Sequence, residues 1–314
     1  MFAKLLLTFS ALLFSLLSAP AWAAEDCSKP PSVAPADFQA KPTDHGVLWR
    51  ISRDGRTSYL YGTLHLGRSE WLIPGPGLQK AWDETQVLAT EIDMGDPAAL
   101  QASMNDSKNS LPTAKLTPAQ TQRMTAAAAA ACVPAAYIAA LADEHPILQL
   151  TTLSALMAHR DGLEIMYGQD FVLTNLARSN HRPIVGLETP TEQMKALTTA
   201  SQAETDAMIQ ESLDELDDNA SRVALLKLSQ AWAAGDLATL ANYEQWCSCA
   251  TTPASREWLR RLNDGRNGPM AERIAALHAK GKPVLVAVGA LHMTGPKALP
   301  TLLAAQGFKV ERIH

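Results

Sequence analysis

Two apolar segments far apart in the chain, Tyr59-Leu60-Tyr61-Gly62-Thr63-Leu64-His65 and Val286-Ala287-Val288-Gly289-Ala290-Leu291-His292, finish in the same Gly-x-x-His turn. Each is followed by another glycine, Gly67 and Gly295. A glycine at the C-terminal end of a strand permits a sharp turn or a close backbone approach. A histidine just beyond it would project into the crevice where open α/β sheets bind ligands. The two imidazoles can thus converge from distant parts of the chain.

The pattern around these segments sets the fold class. Gly46 to Ser52 alternates, Asp54-Gly55 reads as a hairpin turn, and Ser58 to His65 returns as a second strand. A helix is expected from Leu78 to Thr85 and a buried strand from Val87 to Asp93. Thr117 to His159 reads as helical, interrupted at Pro134 and restarted at Pro146. A helix over Gly168 to Asn180 precedes a short strand, Pro183 to Leu187. Thr189-Pro190-Thr191-Glu192 then forms a capping box that opens the next helix.

Ala203 to Trp246 is helical again, and its acidic run Asp214, Glu215, Asp217 and Asp218 reads as a solvated face without a function. The end of the chain predicts a helix from Pro269 to Lys280, a strand from Pro283 to Val288, a helix from Pro296 to Gln306 and a strand from Phe308 to Ile313. Strands near both ends therefore enclose a helical middle. The expected class is α/β, a central mixed β-sheet covered by helices with a large helical insertion.

Outside that region the chain carries an export signature. Lys4 begins a short positive segment, an apolar run follows from Leu5 to Leu17, and Ala21-Trp22-Ala23 supplies small residues for cleavage. Residues 1–23 are therefore expected to be a signal peptide, 24–45 a proline-rich lead-in, and 46–314 a single domain in the periplasm or secreted. The run is shorter than the roughly 20 residues that span a bilayer, so no stable membrane span is expected after cleavage. A formal net charge of -5 and the lack of basic runs with interleaved aromatics argue against nucleic acid as a partner.

Export favours disulfides among Cys27, Cys132, Cys247 and Cys249. Ser248 alone separates the last two, and so small a ring strains disulfide geometry. The expectation is that Cys247 and Cys249 pair with Cys27 and Cys132 in one of two ways.

Beyond the paired turns, the chain carries Glu91 within Val87-Leu88-Ala89-Thr90-Glu91-Ile92-Asp93 and Gly186-Leu187-Glu188-Thr189 with Gln193. It also carries Arg266-Asn267 and the closing Val288-Gly289-Ala290-Leu291-His292-Met293-Thr294-Gly295. This ordered set resembles the TraB/GumN family, whose wider group includes the animal Tiki proteases, and the resemblance runs from about Gly46 to the C-terminus. It implies a central sheet between helices. For the Tiki branch it implies metal-dependent peptidase activity using the paired histidines and a glutamate.

The residues themselves suit that chemistry. Two imidazoles, His65 and His292, with the Glu91 carboxylate would suit a divalent transition metal, Mn, Co or Zn, whereas Mg or Ca would prefer oxygen donors. Glu188 is either a further ligand, a base for the attacking water, or favourable charge at a helix N-terminus. Glu91 and Arg266 can instead form a structural bridge, and Asp93 shares the strand face of Glu91 if the strand reaches it. Arg266 is a candidate for oxyanion or carboxylate binding, Asn267 reads as an N-cap, and Tyr61 as a packing residue. The catalytic candidates are thus Glu91, Glu188 and Arg266, and the metal candidates His65, His292 and Glu91.

The other histidines, His45, His145, His159, His181, His278 and His314, lack a paired context and read as surface or packing residues. No His-Glu-x-x-His helix, nucleophile elbow, P-loop or dinucleotide fingerprint is present. Two functions follow. One is an exported metal-dependent hydrolase, peptidase-like, acting on a peptide or protein substrate. The other is a non-catalytic periplasmic binding or scaffold protein with the same fold.

Overall fold

The computed structural model describes residues 27, 42–93, 101, 114–199 and 201–314. The expected signal peptide and most of the lead-in lie outside the described residues.

A six-stranded mixed sheet forms the centre, in the order β4-β3-β5-β2-β1-β6. β1 (Val47–Arg53) and β2 (Arg56–Thr63) make the expected hairpin, in which Asp54 and Gly55 both take positive φ as a tight hairpin turn requires. β3 (Val87–Thr90), β4 (Ile184–Gly186) and β5 (Val284–Gly289) run parallel to β2, while β6 (Lys309–Arg312) pairs antiparallel with β1. The inner parallel strands are continuous apolar runs because helices cover both of their faces. Leu60, Leu88, Leu285 and Val286 have no exposed surface. Burying each such side chain contributes about 1.5–3 kcal/mol. Both edges are short, and β6 carries Lys309, Glu311 and Arg312, which discourage pairing with another chain.

The helices follow the proline and capping punctuation. They are α1 (Pro76–Asp83), α2 (Pro118–Ala130), α3 (Ala135–Leu141) and α4 (Pro146–Leu156), with Pro134 and Pro146 breaking the middle as expected. α5 (Gln169–Ser179) packs on β3, β4 and β5, and α6 (Pro190–Leu197) opens with the complete Thr189 and Glu192 capping box. α7 (Gln202–Asp217), α8 (Ala220–Ala233), α9 (Leu237–Ala241) and α10 (Tyr243–Trp246) complete the acidic helical stretch. The C-terminal part holds α11 (Pro253–Leu262), α12 (Asp264–Ala279) and α13 (Leu299–Ala305). Helices α2, α4 and α7 bury a second apolar cluster around Met124, Ile147, Leu150, Leu153 and Leu213, apart from the cluster on the sheet. Among the described residues no helix is long and apolar enough to cross a membrane.

Three expectations need correction. Cys27 bonds to Cys132, and Cys247 bonds to Cys249. The small ring closes because Ser248 adopts a left-handed φ of 59°, which folds the segment back and brings the two Cα atoms to 5.1 Å, inside the range that a disulfide spans. Asn267 is no N-cap, since α12 begins earlier, at Asp264, and carries Pro269 in its interior. The acidic run is not uniformly solvated either. Asp214 and Asp217 face outward and pair with Arg123, whereas Glu215 turns inward and accepts from Ser221.

Candidate active site

The site lies at the carboxyl ends of the four parallel strands. Pairing of Thr63 with Gly289, and of Thr90 with both Ala287 and Gly186, brings those ends level. Each strand then delivers one residue just past its end: His65 after β2, Glu91 after β3, Glu188 after β4 and His292 after β5. The expected strands overran here. β2 stops at Thr63 and β3 at Thr90, so His65, Glu91 and Asp93 belong to loops, and Asp93 is engaged by Arg178 instead of sharing a strand face with Glu91.

The motif glycines are dictated by close approach. A Cβ on Gly62 would stand 2.6 Å from Val47 and 3.0 Å from Ala290, the residue after the second motif's own glycine. A Cβ on Gly289 would press on the Glu91 carboxylate at 3.3 Å, and the Gly289 N–H donates to Glu91 Oε1 at 2.8 Å.

Arg266, from α12, is buried and ties the cluster together. Its Nη2 donates to Glu91 Oε2 at 2.6 Å and to Glu188 Oε2, and its Nε to Glu188 Oε1 at 3.0 Å. Nη1 donates to the Leu262 carbonyl at 3.2 Å and lies 3.3 Å from His292 Nε2. The structural bridge between Glu91 and Arg266 is therefore present, with Glu188 as a second carboxylate on the same guanidinium. Gln193 adds a hydrogen bond to Glu91 Oε2 at 3.2 Å.

The charges follow from these contacts. Burial alone would raise the Glu91 carboxyl, but Arg266, the two histidines and the Gly289 N–H hold it well below the usual carboxylate range. Burial likewise opposes the charge of Arg266, yet Glu91 and Glu188 keep it firmly protonated. Glu188 is pushed up by burial, with Arg266 pulling the other way.

The two histidines differ. His292 is buried, and desolvation lowers it to about 4 against the attraction of Glu91. Its Nδ1 lies 2.6 Å from Asn267 Oδ1, while Asn267 Nδ2 donates to the carbonyls of His292 and Lys297 at 3.3 and 2.9 Å. The two carbonyls fix the amide's orientation, so Oδ1 must accept a hydrogen bond from the Nδ1–H and Nε2 keeps the lone pair. His65 is open to the crevice, with 69% of its side-chain surface exposed, and its Nδ1 meets Asp170 Oδ2 at 2.9 Å. The Asp170 charge raises it to about 9 despite partial loss of water.

His292, Glu91, Glu188 and Arg266 thus form one hydrogen-bonded cluster, with His292 Nε2 3.7 Å from Glu91 Oε1. His65 joins it through charge, not direct contact, because Glu91 contributes to its raised proton affinity. Among the described residues no group of three His, Cys, Asp or Glu side chains is close enough to hold a metal ion. The donor chemistry nonetheless fits one. Both imidazoles have Nδ1 anchored by an oxygen, the outer-sphere arrangement that aims Nε2 of a ligating histidine, and a carboxylate stands beside one of them. Asp170 and the Asn267 side chain were missed in sequence. A carboxylate in the first turn of α5 and an amide beside a conspicuous arginine carry no spacing signal.

Of the remaining histidines, His45 packs among Trp71 and Trp232, His145 caps α4, and His278 bridges Ser58 and the Arg53 carbonyl, so all three are structural as expected. Tyr61 also packs in the sheet, its hydroxyl donating to the His45 carbonyl at 3.0 Å. A model described as the TraB/PrgY/gumN family matches residues 47–312. No curated protein and no solved structure matches the chain.

Proposed function

The chain belongs to the TraB/PrgY/gumN family, and on that premise we propose that it is an exported metal-dependent hydrolase acting on peptides. The observation that carries this reading is the pair of imidazoles anchored at strand ends, one of which, His292, stands beside a buried, ionised Glu91.

Each residue has a role. Asn267 holds His292 in the tautomer whose Nε2 can coordinate, and Asp170 orients the largely exposed His65 ring through its Nδ1. Glu91, kept ionised by Arg266 and the Gly289 N–H, supplies the carboxylate. His65, His292 and Glu91 would hold Mn, Co or Zn, the ion taking the place of the proton that Asp170 keeps on the His65 ring at neutral pH. Such an ion would bring the pKa of a bound water to near neutrality and polarise a substrate carbonyl.

Arg266 spends its donors on Glu91, Glu188, Leu262 and His292, so it acts as a positioning residue, and Glu188 fixes its guanidinium. Its 3.3 Å contact with His292 Nε2 is the longest of these and is the one that coordination would replace. Export is supported by the N-terminal signature and by the absence of free cysteines among the described residues.

One observation favours the alternative of a non-catalytic periplasmic binding protein. A guanidinium already faces the His292 lone pair. Anaerobic purification followed by metal analysis separates the two readings. The wild-type chain is expected to retain a transition metal that the His65→Ala, His292→Ala double variant lacks, and to cleave a peptide library in the presence of Mn, Co or Zn. Equal metal content in both proteins would reject the hydrolase.

A further inference from the structure

The helical middle builds a groove that opens at the first histidine. A cavity of about 330 Å³ lies between α4, α7, α8 and α11, with Leu64, His65 and Leu66 at its sheet end. That is the size of a small ligand pocket. Most of its wall is apolar, with Leu163, Leu225, Leu228 and Leu259 prominent.

α8 gives the groove its direction. Leu228 lies one turn before Trp232, whose indole N–H donates to the Gly62 carbonyl at 2.7 Å, so this end of α8 is pinned to β2. Ser221 lies toward the other end, and at 1.5 Å per residue the helix between Ser221 and Leu228 covers about 10 Å.

The far end has a different chemistry. Ser221 donates to Glu215 Oε2 at 3.1 Å, and Glu211 and Tyr243 line the same cavity. Glu211 is ionised, held by Thr251, Thr252 and Ser255. Among the described residues no lysine or arginine lines the groove, so these carboxylates meet no cation from them there. Burial, with the like charge of Glu211, lifts Glu215 to about 7, as befits a carboxyl in an apolar wall without a counter-charge.

We propose that this groove is a subsite for a lysine or arginine side chain of a peptide, its aliphatic stem along the leucines and its cationic head at Glu215, with the peptide backbone passing His65. A three- or four-carbon stem tipped by a cation matches an aliphatic channel closed by carboxylates. The identity of the occupant as substrate rests on the hydrolase reading, whereas its binding does not.

The test is fluorescence anisotropy on the full chain without added metal. It uses a fluorescein-labelled Ala-Ala-Arg-Ala-Ala peptide and its citrulline and norleucine counterparts. The arginine peptide is expected to bind about tenfold more tightly than the citrulline peptide, the size of one hydrogen bond to a charged group. Glu215→Gln should erase that difference, and Ala224→Phe, which fills the groove, should weaken binding of all three. Melting curves confirm that each variant is folded. The subsite is overturned if citrulline or norleucine peptides bind as well as arginine, if the preference survives Glu215→Gln, or if none of the peptides binds. Arginine preference with no cleavage of the peptide once Mn, Co or Zn is added would uphold the subsite and count against the hydrolase, while cleavage under those conditions that is indifferent to arginine would sink the subsite alone.

Discussion

The two Gly-x-x-His turns are near copies in sequence and opposites in environment. His65 keeps 69% of its side-chain surface exposed and holds its proton up to about pH 9, whereas His292 is 4% exposed and gives its proton up near 4. Neither difference comes from the turns themselves. Asp170, from α5, supplies the charge at the first, and the roof of α12 supplies Asn267, Arg266 and the dry surroundings at the second. A strand-end motif therefore specifies where an imidazole stands, and the elements packed over it decide what charge that imidazole carries.

If the second turn depends on its buried ion cluster and the first does not, the largest effect should follow Arg266→Leu. That change leaves Glu91 and Glu188 buried without their cation, and losing one partner of a buried ion pair costs about 3–5 kcal/mol. Urea unfolding should show a loss of that order. A loss below about 1 kcal/mol, the range of an exposed pair, would mean that the two turns are held alike and would break the comparison.

Asn267→Ala probes the second turn more finely. The buried Nδ1–H of His292 and the Lys297 carbonyl lose their partner, which should cost about 1–3 kcal/mol. The sharper readout is nitrogen NMR of the imidazole. The wild-type ring should show Nδ1 protonated and Nε2 bare, and the variant a mixture of tautomers. A single unchanged tautomer in the variant would remove Asn267 from its positioning role.

How much of this was legible follows the same division. Strand and helix order could be read because prolines, capping boxes and apolar runs are local signals. Pro134 and Pro146 break the middle, and Thr189 with Glu192 opens α6, as the sequence indicates. His65, Glu91, Glu188 and His292 were legible as candidates because each lies at or just past the end of an apolar strand pattern.

Contacts between distant elements were not. Asn267 beside Pro269 looks like a cap, and only the earlier start of α12 turns its amide to His292. Glu215 looks like one charge among four, and only the packing of α7 against α8 turns it inward. The pairing of Cys247 with Cys249 depended on a left-handed Ser248, a conformation rare outside glycine and asparagine.

The smallest effect, and the one that sharpens the comparison furthest, is in the pH dependence. His65 has its proton affinity raised above the unfolded value of about 6.5, so its pair with Asp170 stabilises the fold fully below about pH 6.5 and ceases to do so as pH rises through about 9. His292 is shifted the other way, so the stability associated with its neutral form is present above about 6.5 and is lost as pH falls toward about 4. Asp170→Asn should abolish the first dependence and leave the second intact, returning His65 toward about 6.5 in an NMR titration. Because the His65 ring is largely exposed, solvent screening keeps the stability change under about 1 kcal/mol, so the titration rather than the melting curve is the deciding measurement. Should the substitution move both histidines equally, the two turns would form one coupled proton-binding unit, and the opposition drawn between them would not hold.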